Sequence, residues 1–298
     1  FVNKFFKCVD SLKNPLKFSN QILNLIKKHK IDYLIPNGNE DIIALRKVKK
    51  KIKIPVLDAQ SNYKKNYFNK KDVYEALIKE VPEVCPKYYI IKNKVDFDLA
   101  KKKLNYPNRS IILKPLEATG GRGVYELTNK INKKIFSKRF EIPQIFNAQI
   151  LDYLKKKDNK EILIMEKLSN PIISVYSICI DGHNFYSLSQ KREWGNASQT
   201  LRGKVSHNIE IEKIASKIIK KLNLSYAINM EFAMNLKNQI KLFDLNPRLA
   251  ASSAVHADLG INFPQAALEL LMDKKYQPKF KFKKNNLKFH RYFSHIWG

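Results

Sequence analysis

Two segments near the C-terminus, AINMEFAM and QIKLFDLN, carry the polar side chains best suited to chemistry. A short polar turn joins them, and their alternation of apolar and polar residues predicts an antiparallel hairpin. With the turn centred between Lys237 and Asn238, Glu231 lies directly opposite Asp244, and Asn246 shares the face of Asp244. The opposite face is predicted to be apolar throughout and to pack on a core: Ile228, Met230, Phe232, Met234, Phe243 and Leu245.

Carboxylates that face each other across a hairpin repel unless a cation lies between them. Two carboxylates and an amide oxygen form the hard ligand set that Mg²⁺ (or Mn²⁺) favours, with water and phosphate oxygens completing the shell. We therefore predict a metal site formed by Glu231, Asp244 and Asn246. Arg248 follows directly after Pro247 and could clamp an anionic substrate or a transferring phosphoryl group. A solvated hairpin face is the alternative.

A second candidate site is a glycine-rich loop in a chain that has only nine glycines. Gly120, Gly121 and Gly123 follow a predicted strand that carries Lys114. Glycines let backbone N–H groups approach phosphate oxygens closely, and the lysine adds a positive charge near an α- or β-phosphate. The spacing is neither that of a Walker loop nor that of a Rossmann turn. An ordinary glycine hairpin is the alternative to a phosphate loop.

Short helices and strands are predicted to position these residues. Hydrophobic periodicity predicts helices over 20–30, 39–50, 69–80, 209–222 and 263–272. Outside the acidic hairpin, strands are predicted over 31–36, 52–57, 88–91, 111–114, 161–166, 174–181 and 184–189. The strand, helix, strand spacing in the first 57 residues predicts a parallel α/β unit, and Asp181-Gly182 predicts a tight hairpin turn.

Composition narrows the class of protein. The chain has 298 residues and a net charge of +29, which first suggests nucleic acid or an anionic membrane. Only eight of the 56 basic residues are arginine, and the 48 lysines are spread along the chain, so we expect no specific nucleic-acid partner. No segment approaches the roughly 18 unbroken apolar residues of a membrane helix. Three scattered cysteines form no disulfide framework, and we expect a reducing, cytoplasmic location.

Taken together and in this order, the motifs resemble the ATP-grasp superfamily, in particular its carbamoyl-phosphate-synthase-like carboxylate–amine ligases. KPLEATGGRGV resembles the family's phosphate-covering loop, LIMEKL its adenine-reading hinge, and MEF with DLNPR its two metal-binding strands. The resemblance covers about residues 31–272 and implies an α/β (α+β) ATP-grasp fold with two α+β subdomains that grip ATP. It implies a partial parallel α/β domain over 1–68, an ATP-grasp domain over 69–272 with a lid at about 110–168, and a basic, aromatic tail over 273–298.

The resemblance also implies roles for individual residues. Glu231, Asp244 and Asn246 would bind Mg²⁺, and Arg248 would act as a catalytic anion clamp. ATP would be bound by residues of the first helix, the loop and the hinge: Lys70, Lys114, Thr119, Gly120, Gly121, Gly123, Glu166, Lys167 and Leu168. The segment QKREWGNAS offers Lys191 and Arg192 as catalytic candidates near the phosphates or the acceptor, with a solvated strand end as the alternative.

The chain departs from the family pattern in three places. Asp244 stands where glutamate is usual, and Ile173 lies nearest to the position of the acidic residue that contacts ribose. The domain before residue 69 is short, and the chain starts with Phe1, which suggests a start inside a longer polypeptide.

The resemblance implies an ATP- and Mg-dependent ligase that activates a small-molecule carboxylate as an acylphosphate for attack by an amine or similar nucleophile. The departures leave open an ATP-binding protein without ligase turnover. A basic nucleic-acid-binding protein is a third alternative. The identity of the substrates and the oligomeric state are not set by the sequence.

Overall fold

The computed structural model describes residues 4–60, 65–117, 122–128, 144–146, 149–150, 161–195, 200–282 and 285–292. The helices of this part of the chain are α1 (Pro15–His29), α2 (Asn39–Arg46), α3 (Lys70–Leu77), α4 (Lys94–Lys103), α5 (Ile209–Leu222), α6 (Ala254–Ala257) and α7 (Phe263–Met272). The first strands are β1 (Tyr88–Ile91), β2 (Ile111–Pro115), β3 (Tyr125–Thr128), β4 (Gln144–Phe146) and β5 (Ile162–Glu166). They are followed by β6 (Ser169–Ile180), β7 (His183–Gly195), β8 (Thr200–Ser206), β9 (Tyr226–Met234), β10 (Ile240–Asn246) and β11 (Leu287–His290).

The N-terminal segment is an α/β unit with little sheet. The predicted strands at 31–36 and 52–57 run parallel, but their pairing is a single bridge between Leu34 and Val56. The strands predicted over these two segments are therefore wrong in length. Most of their residues are exposed or only partly buried, so little apolar surface stabilises a longer pairing. The first turn of α2 contacts the cleft indirectly, because Asn39 accepts a hydrogen bond from Arg248, which lines it.

A five-stranded sheet, ordered β1-β5-β2-β3-β4, forms the smaller layer. Its pairs are antiparallel except β3 with β4, which is parallel. β2 and β5 read as continuous apolar runs because both lie in the middle of the sheet and one face packs on α4 through Phe97 and Ala100. This sheet places Lys114 on β2 and the hinge after β5 along the same wall of the cleft.

A six-stranded antiparallel sheet, ordered β10-β9-β6-β7-β8-β11, forms the larger layer. One face packs on α3 and α5, whose Leu77 and Ile218 are fully buried. The other face packs on α7 through Phe263 and Leu270 but is left open where β9 and β10 carry the acidic residues. Both long central strands exceed the predicted lengths, since β6 and β7 extend past the core to border the cleft.

The acidic hairpin contains a β-bulge. Asp244 pairs with Glu231 and Asn246 with Asn229, so the predicted pairing of the acidic face is confirmed. Nearer the turn the register shifts by one residue between Leu242 and Asp244, and the turn is not centred as predicted. The placement of Phe243 with the purely apolar face is wrong, because this residue occupies the bulge and lines the cleft.

The end of the chain joins the large sheet. β11 lies in the segment 273–298 and pairs antiparallel with β8, with His290 opposite Arg202. Close approach is possible because Gly203 has no side chain: a Cβ there would lie 2.9 Å from the Phe289 ring and 2.7 Å from the Lys191 carbonyl oxygen. The predicted mixed α and β architecture is confirmed. Within the described residues, no helix has both the length and the apolar character needed to cross a membrane.

Candidate active site

A large cleft of about 2640 Å³ separates the two sheets. β2 and the hinge after β5 line one wall, and the acidic face of β9 and β10 lines the other. The lining residues range from Ile35 to Arg291, so most of the chain contributes to one cavity. Clefts of this kind between two layers are the usual place for small-molecule sites.

The two opposed carboxylates each form an ion pair with a different cation. Lys70 Nζ, from the first residue of α3, lies 3.2 Å from Asp244 Oδ1. Arg192 Nη2, from β7, lies 3.2 Å from Glu231 Oε1. Asn69 caps α3 by accepting a hydrogen bond from the backbone N–H of Lys71, which fixes the start of the helix that presents Lys70. The structure therefore brings together the carboxylates and two of the cations that the sequence analysis singled out.

The two carboxyl groups have opposite pKa shifts. Burial raises the pKa of Glu231, and the neighbouring Asp244 charge adds to this effect against the opposing influence of Arg192. Burial also acts to raise the pKa of Asp244, but Lys70 and Lys114 outweigh it, so the net shift is downward. Asp244 is thus held as a carboxylate, and Glu231 gains most from a further cation at this face.

Asn246 and Arg248 continue the polar face beyond Asp244. Asn246 Nδ2 donates a hydrogen bond to Asp244 Oδ2 at 2.9 Å, and its Oδ1 accepts one from Arg248 Nη2 at 3.3 Å. Arg248 Nε also donates to Asn39 Oδ1, in the first turn of α2, at 2.8 Å. The guanidinium is thereby fixed between the hairpin and the N-terminal unit. Burial lowers the pKa of Arg248 from its usual value.

Lys114 projects from β2 into the cleft and is buried. Its Nζ donates to the Phe243 carbonyl oxygen at 3.3 Å and lies 4.8 Å from the centre of the Phe243 ring. Burial, reinforced by the nearby Lys70 charge, lowers the pKa of Lys114 to about 8 against the attraction of Asp244 and Glu231. The β-bulge thus has a function at the site: it turns the Phe243 carbonyl and ring toward this ammonium group.

The glycine-rich loop is described only in part. Thr119, Gly120 and Gly121 lie outside the described residues. Gly123 has a φ of +69°, and a Cβ there would lie 2.8 Å from Pro115 Cγ, so this position requires glycine. Beside it, Arg122 Nη2 lies 2.7 Å from Glu40 Oε1, an ion pair that links the loop to α2.

The predicted hinge runs along the edge of the cleft. Glu166 ends β5, and its Oε1 accepts a hydrogen bond from the backbone N–H of Lys87 at 2.8 Å. Lys167 donates its backbone N–H to Ser110 and pairs through Nζ with Glu126 at 2.8 Å. Both residues line the cleft together with Leu168. Ile173 lies in the core between Phe232 and Lys191, so its side chain does not replace the acidic ribose contact.

The two candidates on β7 differ in their surroundings. Arg192 is held by Glu231 and by Thr200 Oγ1, which accepts from Nε at 3.0 Å. Lys191 lines the cleft but is exposed and lies opposite Ile173 and Lys204. Arg192 therefore belongs to the acidic face by direct contact, whereas Lys191 does not contact it.

Sequence reasoning missed a group of buried polar side chains beside the acidic face. The hydroxyl groups of Tyr176 and Ser252 share a short hydrogen bond, and His256 Nε2 lies 3.1 Å from Gln190 Oε1. Burial lowers the pKa of His256 to about 3, so this histidine is neutral at physiological pH. The alternation of Ser174 and Tyr176 with apolar residues on β6 could have predicted that their side chains lie on one polar face of that strand.

The residues present fit a divalent cation. Glu231 and Asp244 are directly paired, Asn246 offers an amide oxygen on the same face, and the carboxylates already draw in two side-chain cations. Asn229, opposite Asn246, has a buried Nδ2 with no hydrogen-bond partner among the described residues; as a donor it suits an anionic ligand and not the cation itself. Oxygen ligands of this type suit Mg²⁺.

Comparisons with known proteins agree with this geometry. Residues 158–290 match the family described as "ATP-grasp in the biosynthetic pathway with Ter operon". A comparison with curated proteins finds no match. Among solved structures, the biotin carboxylase domain of 2-oxoglutarate carboxylase from Hydrogenobacter thermophilus, in complex with MgADP, is similar with a TM-score of 0.66 at 14% identity. That match covers 91% of this chain and 60% of that one.

Two further solved structures have the same fold. N5-carboxyaminoimidazole synthetase from Staphylococcus aureus, complexed with ADP, has a TM-score of 0.62 at 15% identity, over 85% of this chain and 63% of that one. D-alanine–D-alanine ligase from Bacillus anthracis has a TM-score of 0.59 at 15% identity, over 90% of this chain and 95% of that one. The chain spans about three fifths of the length of the biotin carboxylase structures it matches. The resemblance predicted from the motifs is confirmed for the fold: this chain has the ATP-grasp fold, and its residues 158–290 match an ATP-grasp family.

Proposed function

We propose that this chain is an ATP- and Mg-dependent ligase that activates a carboxylate as an acylphosphate for attack by an amine or a similar nucleophile. The observation that carries the proposal is the paired Glu231 and Asp244 at the open face of the large sheet, with Lys70, Lys114 and Arg192 converging on them. Burying this many charged groups is unfavourable unless a charged ligand pairs with them. A protein that binds an uncharged ligand would have no use for such a cluster.

Each group has a distinct role in the proposed reaction. Lys70 and Lys114 hold the phosphates of ATP, the hinge at Glu166 to Leu168 holds the adenine, and Glu231, Asp244 and Asn246 hold Mg²⁺. When bound, Mg²⁺ neutralises phosphate charge and orients the γ-phosphoryl group. Arg248, fixed by Asn39 and Asn246, clamps the anionic carboxylate substrate.

The chemistry has two steps. A carboxylate oxygen of the substrate forms a bond to the γ-phosphorus while the bond from phosphorus to the β,γ-bridging oxygen breaks, which gives an acylphosphate and ADP. The amine then forms a bond to the acyl carbon, loses a proton, and releases inorganic phosphate. Positioning and charge neutralisation account for most of the catalysis in such transfers. The position of the site in a cleft between two sheets also keeps water away from the acylphosphate and so limits its hydrolysis.

Calorimetry with Mg-ATP tests the nucleotide part of the proposal. We expect saturable binding that requires Mg²⁺ in the wild type, and loss of that requirement in Asp244→Ala and Asn246→Ala. Release of ADP in the presence of a library of carboxylates and amines then tests the ligase part. Absence of saturable binding by the full chain would contradict the proposal.

A second candidate function is nucleotide binding without ligation. One observation favours it: Lys70 and Arg192 already neutralise Asp244 and Glu231, so the acidic face is balanced without a metal. This candidate predicts Mg-ATP binding that triggers no ADP release with any pair of substrates. Residual ATP hydrolysis that increases on addition of a carboxylate alone would favour the ligase instead.

A further inference from the structure

One part of the cleft is bordered by β7, β8 and the residue after β11. Arg192, Arg202 and Arg291 all line the cleft there. Arg291 reaches this position because its backbone N–H donates to the Leu201 carbonyl oxygen at 2.8 Å, which extends the pairing of β11 with β8 by one more hydrogen bond. The residue that follows the last described strand therefore contributes a cation to the same cavity as the proposed nucleotide site.

Charge is not balanced in this part of the cleft. Among the described residues of β7 and β8 that line it, together with Arg291 after β11, four are basic (Lys191, Arg192, Arg202 and Arg291) and only Glu193 is acidic. Glu193 Oε2 lies 3.5 Å from Arg202 Nε, a long contact between partly exposed groups. Arg192 is already neutralised by Glu231. An excess of positive charge thus remains after the internal ion pairs have been counted.

Arg291 also has an unmet hydrogen-bonding requirement. Its Nη1 is buried and has no hydrogen-bond partner among the described residues. A guanidinium N–H that is removed from water without an acceptor is unfavourable, and a planar anion such as a carboxylate or a phosphate is its best partner. The neighbouring Trp194, 47% exposed and also lining the cleft, lies opposite Arg202 and offers an apolar surface for the rest of a ligand.

We propose that Arg202 and Arg291 form an anion subsite, the arginine subsite, that binds a carboxylate or phosphate group of the second substrate. The proposal rests on the proposed function, since a ligase needs a place for the nucleophile beside the activated carboxylate. The phosphates of ATP have separate candidate cations in Lys70, which pairs with Asp244, and in Lys114, which lies near both of these residues. The second substrate is therefore expected to be an anionic amine, and the C-terminal strand to be part of the active site.

The test titrates inorganic phosphate and, separately, succinate into the full chain, with and without Mg²⁺ and a non-hydrolysable ATP analogue that blocks the phosphate positions of ATP. We expect saturable binding of at least one anion in the presence of the analogue, weakened fivefold or more by Arg291→Gln and by Arg202→Gln. Lys204→Gln and Lys288→Gln are matched controls, because both are basic residues of β8 and β11 that lie directly opposite each other and do not line the cleft. The controls are expected to change affinity less than twofold.

The outcomes separate this proposal from the proposed function. If neither anion binds saturably, or if Lys288→Gln weakens binding as much as Arg291→Gln, the arginine subsite is ruled out. If the ATP analogue fails to bind but the anions still bind the nucleotide-free chain in an Arg291-dependent way, the subsite stands and the nucleotide proposal fails. Preference for phosphate over succinate identifies a phosphorylated substrate, and the reverse identifies a carboxylate. Unchanged thermal midpoints for Arg202→Gln and Arg291→Gln show that the effect is not loss of the fold.

Discussion

Asp244 is the residue on which most contacts of the acidic face converge. It pairs with Lys70, accepts a hydrogen bond from Asn246, and lies opposite Glu231. The register of β10 shifts just before it, between Leu242 and Asp244.

Replacement of this carboxylate should remove the Mg²⁺ requirement. For Asp244→Asn we expect Mg-ATP affinity to fall more than about tenfold, since groups that merely support a metal ligand already cost 10- to 100-fold. Calorimetry with and without Mg²⁺ measures the ATP affinity of the wild type and the variant. Asp98→Asn is the matched control, because Asp98 is half exposed on α4 and pairs only with Lys101 among the interactions described. Equal effects of the two substitutions would mean that Asp244 has no special role.

Lys114 gives the site a dependence on pH. Its pKa of about 8 means that the free protein loses this positive charge as the pH rises through that value, whereas bound phosphate favours the charged form. We expect the Mg-ATP affinity to be constant below pH 7 and to fall above pH 8, by up to about tenfold per pH unit. Lys114→Arg, which stays charged, should flatten the profile even if its overall affinity is lower. A wild-type profile that is flat to pH 10 would contradict the assignment.

At the scale of elements, the strands β7, β8 and β11 depend on one glycine. Gly203 lies between the Lys191 carbonyl and the Phe289 ring. Because the Lys191 carbonyl is backbone, no rotamer change can relieve a clash with a side chain at position 203. Gly203→Ala should destabilise the fold by about 1–3 kcal/mol, the usual cost of overpacking. Urea denaturation measures the change.

The control for this substitution is Gly38→Ala. The nearest atom to a Cβ at Gly38 is Asp41 Oδ2, at 2.8 Å, and this carboxylate end can rotate away. We expect a smaller loss of stability there. A loss at Gly203 no greater than that at Gly38 would show that β11 does not pack tightly on β8.

At the scale of the whole molecule, the net charge of +29 acts separately from the cleft. We expect weak binding of duplex DNA without sequence preference, with a log–log salt slope of about −0.9 per phosphate contacted, and its loss at high salt. Mg-ATP binding should stay saturable under the same conditions because its cations are buried or half-buried in the cleft. Fluorescence anisotropy over a salt series, beside calorimetry, measures both. Retention of tight DNA binding at high salt would favour the nucleic-acid alternative.

The periodicity and the order of the motifs in the sequence predicted the acidic face and the fold. The alternation on β9 and β10 placed Glu231, Asp244 and Asn246 on one face because side chains of a strand alternate strictly, and the helices α5 and α7 followed from their apolar stripes. The resemblance of several ordered motifs gave the ATP-grasp fold, which the structural comparisons bear out.

Contacts between distant segments were decided only by the tertiary structure. No local pattern specifies the partners of three such contacts: the link from Arg248 to Asn39, the ion pair of Arg122 with Glu40, and the pairing of β11 with β8. The bulge at Phe243, within the acidic hairpin, was also seen only in the folded chain. Periodicity reports which face of an element is apolar, but the partner of that face is selected by packing of the whole chain. For this reason the sequence by itself predicted that Glu231 lies opposite Asp244, and only the folded chain showed which cations neutralise these carboxylates.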